Sequence, residues 1–291
     1  MEEARPSRTA LRVALRRAAH QLYDARPLVF DDPVTPKILA PYADEIERTP
    51  GSGVGRRVGI KSRPFSVGLR AFLVARSRYA EDLLRAAVER GVRQYVLLGA
   101  GLDTFAHRNS YDLQTALRVF EVDHPATQAW KRELLAASGL DAPMGLTYAP
   151  VDFERESLAE GLAAAGFDVG APALFAWLGV VPYLTLEAFR ATVRYVAGCA
   201  PGSGVVFDYG QPRAALPMLE RLAHDSLAAR VEKAGEPFRL FFTPEEVRAE
   251  LAGFAAIEDM GAAEINARYF AGRTDGLRMV GSAGRIVSAW V

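Results

Sequence analysis

Two glycines and a later carboxylate form the pattern with the clearest chemical meaning in this sequence. Gly99 and Gly101 follow the apolar run 95–98, and Asp123 directly follows the next strand-like run, 118–122. Short apolar runs bounded by glycine are typical of buried parallel strands, and glycines let the following turn approach a ligand closely. In a doubly wound sheet, an acid at the end of the next strand accepts hydrogen bonds from ribose hydroxyls. The spacing therefore predicts a nucleotide site in which Asp123 binds the ribose.

The third glycine of a dinucleotide-binding turn is absent, because Thr104 occupies its position. That glycine lets the helix pack closely and present its N-terminus to a pyrophosphate. A ligand without phosphate, such as S-adenosylmethionine, needs no such anion site, so Thr104 favours a ligand of this kind over NAD. NAD, and an ordinary tight turn without any ligand, stay open as alternatives. Glu121 is the second candidate for the ribose contact.

Further motifs occur in a fixed order along the chain. They are Leu98-Gly99-Ala100-Gly101-Leu102-Asp103-Thr104 with Arg108, Phe120-Glu121-Val122-Asp123-His124-Pro125 with Lys131, Val151-Asp152-Phe153, the stretch 177–184, Phe207-Asp208-Tyr209, Gly235-Glu236-Pro237-Phe238 and Arg268-Tyr269-Phe270. Together they resemble the leucine carboxyl methyltransferase family. This family comprises class I S-adenosylmethionine-dependent O-methyltransferases, and many of its bacterial members are assigned to small-molecule or polyketide substrates. The resemblance covers nearly the whole chain from Asp32 onward.

The resemblance implies a cofactor, S-adenosyl-L-methionine, whose product is S-adenosyl-L-homocysteine. It implies that Arg76 forms a salt bridge with the carboxylate of the methionine moiety, for which a planar guanidinium is well suited. Asp152 would accept a hydrogen bond from the adenine amino group, with Phe153 beside the base. The implied cofactor contacts are Arg76, Gly99, Ala100, Gly101, Asp103, Glu121, Asp123, Asp152, Phe153, Trp177 and Leu178.

Some of these assignments have simpler alternatives. Considered alone, Arg76 is typical of a solvated surface arginine and Asp152 of a helix N-cap. Trp177 beside a sheet fits plain core equally well. A common form of the family has Glu where this chain has Leu178, so no carboxylate contact carries over to that position. A binding protein that has lost turnover therefore stays open as an alternative.

The sequence gives weaker evidence about the methyl acceptor than about the cofactor. Methyl transfer from a sulfonium is an in-line displacement, so the protein mainly aligns the reactants and excludes water. A carboxylate acceptor is ionised at neutral pH and needs no base, whereas a phenol or alcohol would benefit from one. The visible candidates for a base are His20, His107, His124, His224 and Tyr183. His20 and Tyr183 are retained as catalytic candidates and, together with Arg268 and Tyr269, as candidates for substrate binding.

Composition and charge argue against several other classes of protein. The 35 basic and 35 acidic residues give a formal charge of zero, so no net field attracts nucleic acid or an anionic membrane. No apolar run is long enough to span a bilayer and no secretory signal is present, which predicts a cytoplasmic protein. Neither HxxxH nor CxxC occurs, so we expect no metal cofactor. The single cysteine, Cys199, is expected to be a buried structural thiol.

The order of the apolar runs predicts an α/β fold. After residue 90, strand-like runs alternate with helical patterns, which indicates a mostly parallel sheet with helices on both faces. The predicted strands are 94–98, 118–122, 146–151, 173–178, 204–209, 254–260 and 284–290. The helices between them are expected to begin near Pro125, Phe153, Thr185, Gln211 and Pro244, the last with a capping box. Earlier helices are predicted over 5–22, after Asp32-Pro33 and over 64–90.

The length of 291 residues lies within the range of one α/β domain, so we expect a single domain over 1–291. With the resemblance, this predicts a Rossmann-like class I methyltransferase with a seven-stranded sheet, an N-terminal helical cap (1–90), a core (91–291) and a helical lid insertion (about 211–242). The stretch Gly51–Gly55 is interpreted as a loop or mobile flap. The expected activity is O-methylation of a small molecule, preferably at a carboxylate. Alternatives are a phenol or alcohol acceptor, a protein C-terminal carboxylate and an NAD-linked oxidoreductase. We expect a monomer or homodimer.

Overall fold

The sheet is built as the apolar runs predict. A computed structural model of the protein describes residues 7–49, 64–111, 116–152, 156–233 and 235–291. The strands are β1 (Gln94–Leu98), β2 (Arg118–Asp123), β3 (Leu146–Pro150), β4 (Ala173–Trp177), β5 (Gly204–Gly210), β6 (Ala256–Met260) and β7 (Gly284–Trp290). Their spatial order is β3-β2-β1-β4-β5-β7-β6, and β7 is antiparallel to both of its neighbours. The predicted seven-stranded, mostly parallel sheet is confirmed.

The helices precede the sheet and connect its strands. In the described residues they are α1 (Arg8–Tyr23), α2 (Val34–Ile38), α3 (Ala43–Glu47), α4 (Pro64–Glu89), α5 (Phe105–Arg108), α6 (Pro125–Ala137), α7 (Leu158–Ala164), α8 (Leu186–Ala197), α9 (Met218–Glu232), α10 (Pro244–Glu250) and α11 (Ala262–Tyr269). The predicted capping box is present at the start of α10. The Thr243 hydroxyl accepts from the Glu246 N–H at 3.2 Å, and the Glu246 carboxylate accepts from the Thr243 N–H at 2.7 Å.

One predicted helix start differs from the structure. The helix expected near Gln211 begins only at Met218, after a short 3₁₀ turn at Arg213–Ala215. Pro212 and Pro217 delay it, because proline lacks an N–H and disfavours helical backbone in the residue before it. The start expected near Phe153 lies outside the described residues, and so does the stretch 51–55. Helix α7 begins at Leu158 with a capping box at its N-cap residue.

The core divides into one cluster on each face of the sheet, because alternate strand residues point to opposite faces. Tyr95 and Leu97 of β1 belong to the cluster packed against α4, whereas Val96 and Leu98 belong to the cluster on the other face. The second cluster also includes Cys199, at 5 % exposure. As expected, Cys199 is a buried thiol, and burial raises its pKa to about 11.

The N-terminal helices pack against the carboxyl-terminal side of β1 through a third cluster that includes Ala14 and Ala18 of α1, Ile38 of α2 and Leu102. The helical spacing of Leu11, Leu15, Ala18, Ala19 and Leu22 predicts an apolar face on α1. Ala18 and Ala19 are buried and Leu11 and Leu15 pack against this cluster, whereas Leu22 is 53 % exposed. The buried residues of the helix are Ala14, Arg17, Ala18, Ala19 and His20.

A buried network of charged groups also holds α1 in place. The network consists of Arg17, Asp32, Glu81, Asp103, Thr104 and Arg108. Arg17 donates to Asp32 at 2.5 Å and to Asp103 at 3.0 Å, and Arg108 lies 3.2 Å from Asp32. The Thr104 hydroxyl donates to Asp32 at 2.6 Å. Thr104 replaces the third glycine of a dinucleotide turn, and in this fold it joins the turn to the N-terminal cap.

Candidate active site

A cavity of about 440 Å³ opens at the carboxyl ends of β1, β2 and β4. The central strand β1 lies between β2 and β4, so this is the point at which the strand order reverses. Ligands of open α/β sheets bind at such a switch point. The cavity is covered by the first two turns of α1 and by the segment 235–239. The turn after β1 forms its floor, which includes Gly99, Ala100, Gly101 and Asp103, and the predicted cofactor contacts of these residues stay a prediction.

The glycine turn adopts a backbone that only glycine takes readily. Gly99 has φ +66° and Gly101 has φ +51°, both in the left-handed region. Gly99 also has no room for a side chain, because a Cβ there would lie 2.4 Å from Cγ2 of Val180. The N–H of Gly99 donates to the carbonyl of Val122 at 2.8 Å. The turn is thus fixed both to β2 and against the segment after β4.

Asp123 links the turn to the end of β2. Its Oδ2 accepts from the Gly101 N–H at 2.6 Å, and its Oδ1 accepts from the His124 N–H at 2.7 Å. Burial raises the pKa of Asp123, and these two N–H donors oppose that effect. A carboxylate has about four lone-pair sites, so two protein donors leave acceptor capacity on a side chain that lines the cavity. Asp123 can therefore accept further hydrogen bonds from ribose hydroxyls.

Glu121, the second ribose candidate, is in the wrong place for that contact. Its side chain is fully buried and pairs with Lys131 of α6 at 2.5 Å, and it is not among the described residues that line the cavity. Burial raises the pKa of Glu121, and the Lys131 ammonium opposes that effect. The pair joins α6 to β2 and is a structural ion pair.

Arg76 lines the cavity from α4, although it is 6 % exposed. Its Nη1 donates to Oδ2 of Asp208 on β5 at 2.7 Å. The other carboxylate oxygen, Oδ1, accepts from the Gly179 N–H at 2.6 Å. The simpler interpretation, a solvated surface arginine, is therefore wrong. The contact between Arg76 and the methionine carboxylate stays a prediction, and its position in the cavity wall is consistent with that role.

The predicted adenine contacts lie at the next strand end. Asp152 follows β3, and the preceding residue, Val151, donates its N–H to the Asp123 carbonyl at 3.0 Å. Asp152 thus comes at the same edge of the sheet as the ribose candidate. Phe153 lies outside the described residues, and the role of both residues in adenine binding stays a prediction.

The motif after β4 divides between core and cavity. Trp177 is 3 % exposed and stacks on Phe189 of α8 with ring centroids 5.6 Å apart, so it is a core residue and not a cofactor contact. Leu178, Gly179 and Val180 line the cavity. Leu178 therefore presents an apolar side chain at the position where a common form of the family has an acid.

Of the predicted acceptor-side residues, Tyr183 lines the cavity. Its ring packs against Phe238 with centroids 5.3 Å apart. Burial raises the pKa of Tyr183 above its ordinary value of 10.0. A phenol with such a pKa is protonated at neutral pH, so Tyr183 can donate a hydrogen bond but is a poor general base.

The predicted acceptor-side roles of His20, Arg268 and Tyr269 are wrong, because the structure places these residues away from the described cavity wall. His20 is fully buried, with Nδ1 2.8 Å from Asp24 and Nε2 accepting from the Phe30 N–H at 3.3 Å. Arg268 and Tyr269 lie on α11. Arg268 donates to Glu258 at 3.0 Å, and the Tyr269 hydroxyl donates to Asp82 at 3.1 Å. All of these polar groups have structural partners.

The sequence did not indicate that Glu236 is part of the cover of the cavity. Its Oε1 accepts from the Ser7 hydroxyl at 2.8 Å, and its Oε2 accepts from the N–H of Thr9 at 3.1 Å and from the Thr9 hydroxyl. Ser7 is the N-cap of α1, so this carboxylate also lies at the positive end of the helix dipole. We call these contacts the Glu236 clasp. It joins the two segments that cover the cavity.

Comparison with known proteins defines the class to which this fold and site belong. A protein of Thermobifida fusca YX whose name assigns it methyltransferase activity has the same fold, with a TM-score of 0.58 at 17% identity, and the match covers 99% of this chain and 96% of that one. A DUF574 family protein of Streptomyces avermitilis aligns with a TM-score of 0.51 at 17% identity over 94% and 96% of the two chains. The fold is that of a class I methyltransferase.

Sequence similarity is more specific. The sequence model of the leucine carboxyl methyltransferase family matches residues 10–197, and the chain belongs to this family. YktD of Bacillus subtilis (strain 168), whose name assigns it S-adenosyl-L-methionine-dependent methyltransferase activity, is 30% identical over 95% of both chains. A protein of Mycolicibacterium paratuberculosis with the same assigned activity is 34% identical over 77% of this chain and 68% of its own. The protein is accordingly an S-adenosylmethionine-dependent methyltransferase.

Two features are absent from the described residues. These residues contain no group of three or more His, Cys, Asp or Glu side chains arranged to hold a metal ion. None of their helices combines the length and apolar character that crossing a membrane requires.

Proposed function

We propose that the protein methylates an oxygen atom, preferably of a carboxylate, on a small molecule. The observation that carries the proposal is the state of the polar groups on the cover side of the cavity. Tyr183 is a half-buried phenol whose pKa burial raises, and the Glu236 carboxylate is engaged by the start of α1. Neither is suited to remove a proton at neutral pH, and His124, which also lines the cavity, lies beside Asp123 at the end of β2 and not on the cover side. An acceptor that is already ionised, such as a carboxylate, needs no base.

The size of the cavity supports a small acceptor. Its volume of about 440 Å³ lies in the range of small-molecule sites, and it is covered by α1 and residues 235–239. A phenol or alcohol acceptor and a protein C-terminal carboxylate are the alternatives within methyl transfer. We further propose that the protein acts in the cytoplasm, as a monomer or homodimer, without a metal.

In the proposed mechanism, the chain positions the two reactants and excludes water from the site. When bound, S-adenosylmethionine supplies a methyl group that its sulfonium already activates. The acceptor oxygen forms a bond to the methyl carbon while the carbon–sulfur bond breaks, and the electron pair passes to sulfur. Asp123 and Arg76 would hold the two ends of the cofactor, and Leu178 and Val180 would keep the space around the methyl group apolar. Alignment and exclusion of water are the main sources of acceleration in such a site.

The first test concerns the cofactor. We expect calorimetric titration to show binding of S-adenosylmethionine and S-adenosylhomocysteine, and to show no binding of NADH. Asp123→Ala should weaken S-adenosylhomocysteine by at least about tenfold, since hydrogen bonds to a charged group typically contribute more than 1.4 kcal/mol. Asp225→Ala is the matched control, because Asp225 of α9 pairs with Arg213 at 2.8 Å and both side chains are exposed. Binding of NADH in place of the sulfur ligands would contradict the proposal.

The acceptor is tested by a screen in which the chemistry of the product is read directly. Small carboxylic acids, phenols and alcohols are incubated with the protein and S-adenosylmethionine bearing a labelled methyl group. A methyl ester releases labelled methanol in mild alkali, whereas a methyl ether does not. Label that withstands alkali would establish a hydroxyl acceptor and overturn the preference for a carboxylate.

The Glu236 clasp leads to a prediction about exchange of the cofactor. Glu236→Ala removes the acceptor for Ser7 and Thr9, so the start of α1 loses its attachment to residues 235–239. We expect S-adenosylhomocysteine to dissociate about tenfold faster in stopped-flow displacement, because the lost contacts are charge-assisted hydrogen bonds. Glu250→Ala, which removes an ion pair with Arg190 between α8 and α10, should leave the rate unchanged. Equal rates in both variants would contradict a role for the clasp.

A further inference from the structure

Asp208 occupies the point at which three elements of the site meet. It lies on β5, 4 % exposed, between Phe207 and Tyr209. One carboxylate oxygen accepts from Arg76 of α4 at 2.7 Å, and the other accepts from the N–H of Gly179, in the turn after β4, at 2.6 Å. Asp208 is not itself among the described residues that line the cavity. It therefore lies outside the cavity wall and contacts two residues of that wall, Arg76 and Gly179.

The contact fixes only one edge of the Arg76 guanidinium. Nη1 is bound to Asp208, whereas Nη2 and Nε have no hydrogen-bond partner among the residues that the structure describes. The group also lies flat against the chain at Gly179, where a Cβ would be 2.6 Å from Nη2 of Arg76. Gly179 has φ +74°, a backbone that favours glycine. Because the Arg76 guanidinium is bound to the protein at only one edge, its other N–H groups can donate to an anion in the cavity.

We propose that Asp208 is a positioning residue that orients Arg76 toward the carboxylate at the amino-acid end of the cofactor. The inference rests on the proposed function, because it takes this cavity as the cofactor site. A guanidinium presents its donors as a rigid planar fork, so its value to a carboxylate depends on how the plane is held. By fixing Nη1 and the Gly179 backbone together, Asp208 sets that plane.

The test compares two ligands that differ in one group. S-adenosylhomocysteine carries the carboxylate, and its decarboxylated analogue keeps the adenosine, the sulfur and the amine. Asp208→Asn preserves the shape but cannot accept from both Arg76 and Gly179 without turning an amide N–H toward one of the two donors. We expect this variant to bind S-adenosylhomocysteine about tenfold more weakly and the analogue within about twofold of wild type.

A double-mutant cycle shows whether the effect passes through Arg76. Arg76→Met should abolish the preference for the carboxylate-bearing ligand, and adding Asp208→Asn to it should change the ratio of the two affinities no further. Asp259→Asn is the matched control for loss of a buried acid. Asp259 binds Arg285 at 3.1 Å and the Tyr209 hydroxyl at 2.9 Å, so its loss should lower thermal stability without altering the ratio.

Three results would overturn the inference. Equal weakening of both ligands by Asp208→Asn would make Asp208 a general structural residue. Unchanged affinity for S-adenosylhomocysteine would show that Arg76 needs no such support. Tighter binding would show that Asp208 mainly offsets the charge of Arg76. Failure of the proposed function is distinguishable from all of these, because the wild-type protein would then bind neither ligand.

Discussion

Replacement of Asp32 by alanine is expected to lower the free energy of unfolding by about 3 to 5 kcal/mol, the range for breaking one side of a buried ion pair. Asp32 is fully buried and accepts from Arg17, Thr35 and Thr104, while Arg108 lies 3.2 Å away. Without the carboxylate, two guanidinium groups would stay buried beside each other. Chemical denaturation followed by circular dichroism measures the change. Asp44→Ala is the control, because Asp44 and its partner Arg48 are 81% and 75% exposed, and the loss there should be small.

The same carboxylate should make the free energy of unfolding depend on pH in the acidic range. Burial favours the neutral form of Asp32, but Arg17 and Arg108 outweigh it and hold the pKa at about 2, below the ordinary 3.8. A depressed folded-state pKa contributes stability that is complete above the unfolded pKa and is lost as the pH falls through the folded value. Over the window from about pH 4 to pH 2, wild type should lose about 2 kcal/mol from this group. Asp32→Ala should lack that part of the acid sensitivity, and a parallel loss in both proteins would contradict the assignment.

Replacement of Gly99 by alanine is expected to destabilise the protein by about 3 kcal/mol and to abolish measurable binding of S-adenosylhomocysteine. Part of the cost is a left-handed backbone at φ +66°, and part is the clash of the new Cβ with Val180, 2.4 Å away. Relief of the clash would displace either the turn or Val180, and both line the cavity. Thermal melting and calorimetric titration measure the two effects.

A variant at Gly139 separates the cost of the left-handed backbone from the cost of the clash with Val180. Gly139 has nearly the same backbone, φ +65°, but a Cβ there would meet no atom within 4 Å. Gly139→Ala should therefore show only the backbone cost of about 1 kcal/mol and bind the ligand normally. A second variant, Gly99→Ala with Val180→Ala, should recover part of the lost stability. If Gly99→Ala and Gly139→Ala were equally stable, the clash would play no part.

The strands and the floor of the site could be predicted from the sequence because both follow regular patterns along the chain. The apolar runs that define β1 to β7 are local, and the spacing from Gly101 to Asp123 is that of a glycine turn followed by the next strand of a doubly wound sheet. The two residues prove to be in contact at 2.6 Å. Helix starts were harder where proline intervened, as between Gln211 and Met218. There the composition indicated a helix, but the position of its first turn depended on single residues.

The charged residues were beyond such a prediction, because no spacing rule links them to their partners. Arg17 has the character of a surface arginine on an amphipathic helix until Asp32, Asp103 and Thr104 are brought to it. Glu121 and Asp123 look equivalent as acids on one strand, yet Lys131 binds one and the glycine turn binds the other. Burial and the partner together distinguish the structural ion pair from the carboxylate that lines the cavity. Contacts of this kind become visible only when the fold has been assembled.

The antiparallel direction of β7 has a practical consequence for handling the protein. Trp290, in the last position of β7, pairs with Gly204 at the start of β5, whereas Gly284 pairs with Gly210 at the opposite end. The final strand therefore ends at the edge of the sheet that faces away from the cavity, while the start of α1 forms part of its cover. A linker or surface attachment joined after β7 therefore lies on the side of the sheet away from the cavity, whereas one joined at Ser7 adjoins the Glu236 clasp. Immobilised-protein measurements of ligand exchange should be anchored through the carboxyl-terminal strand.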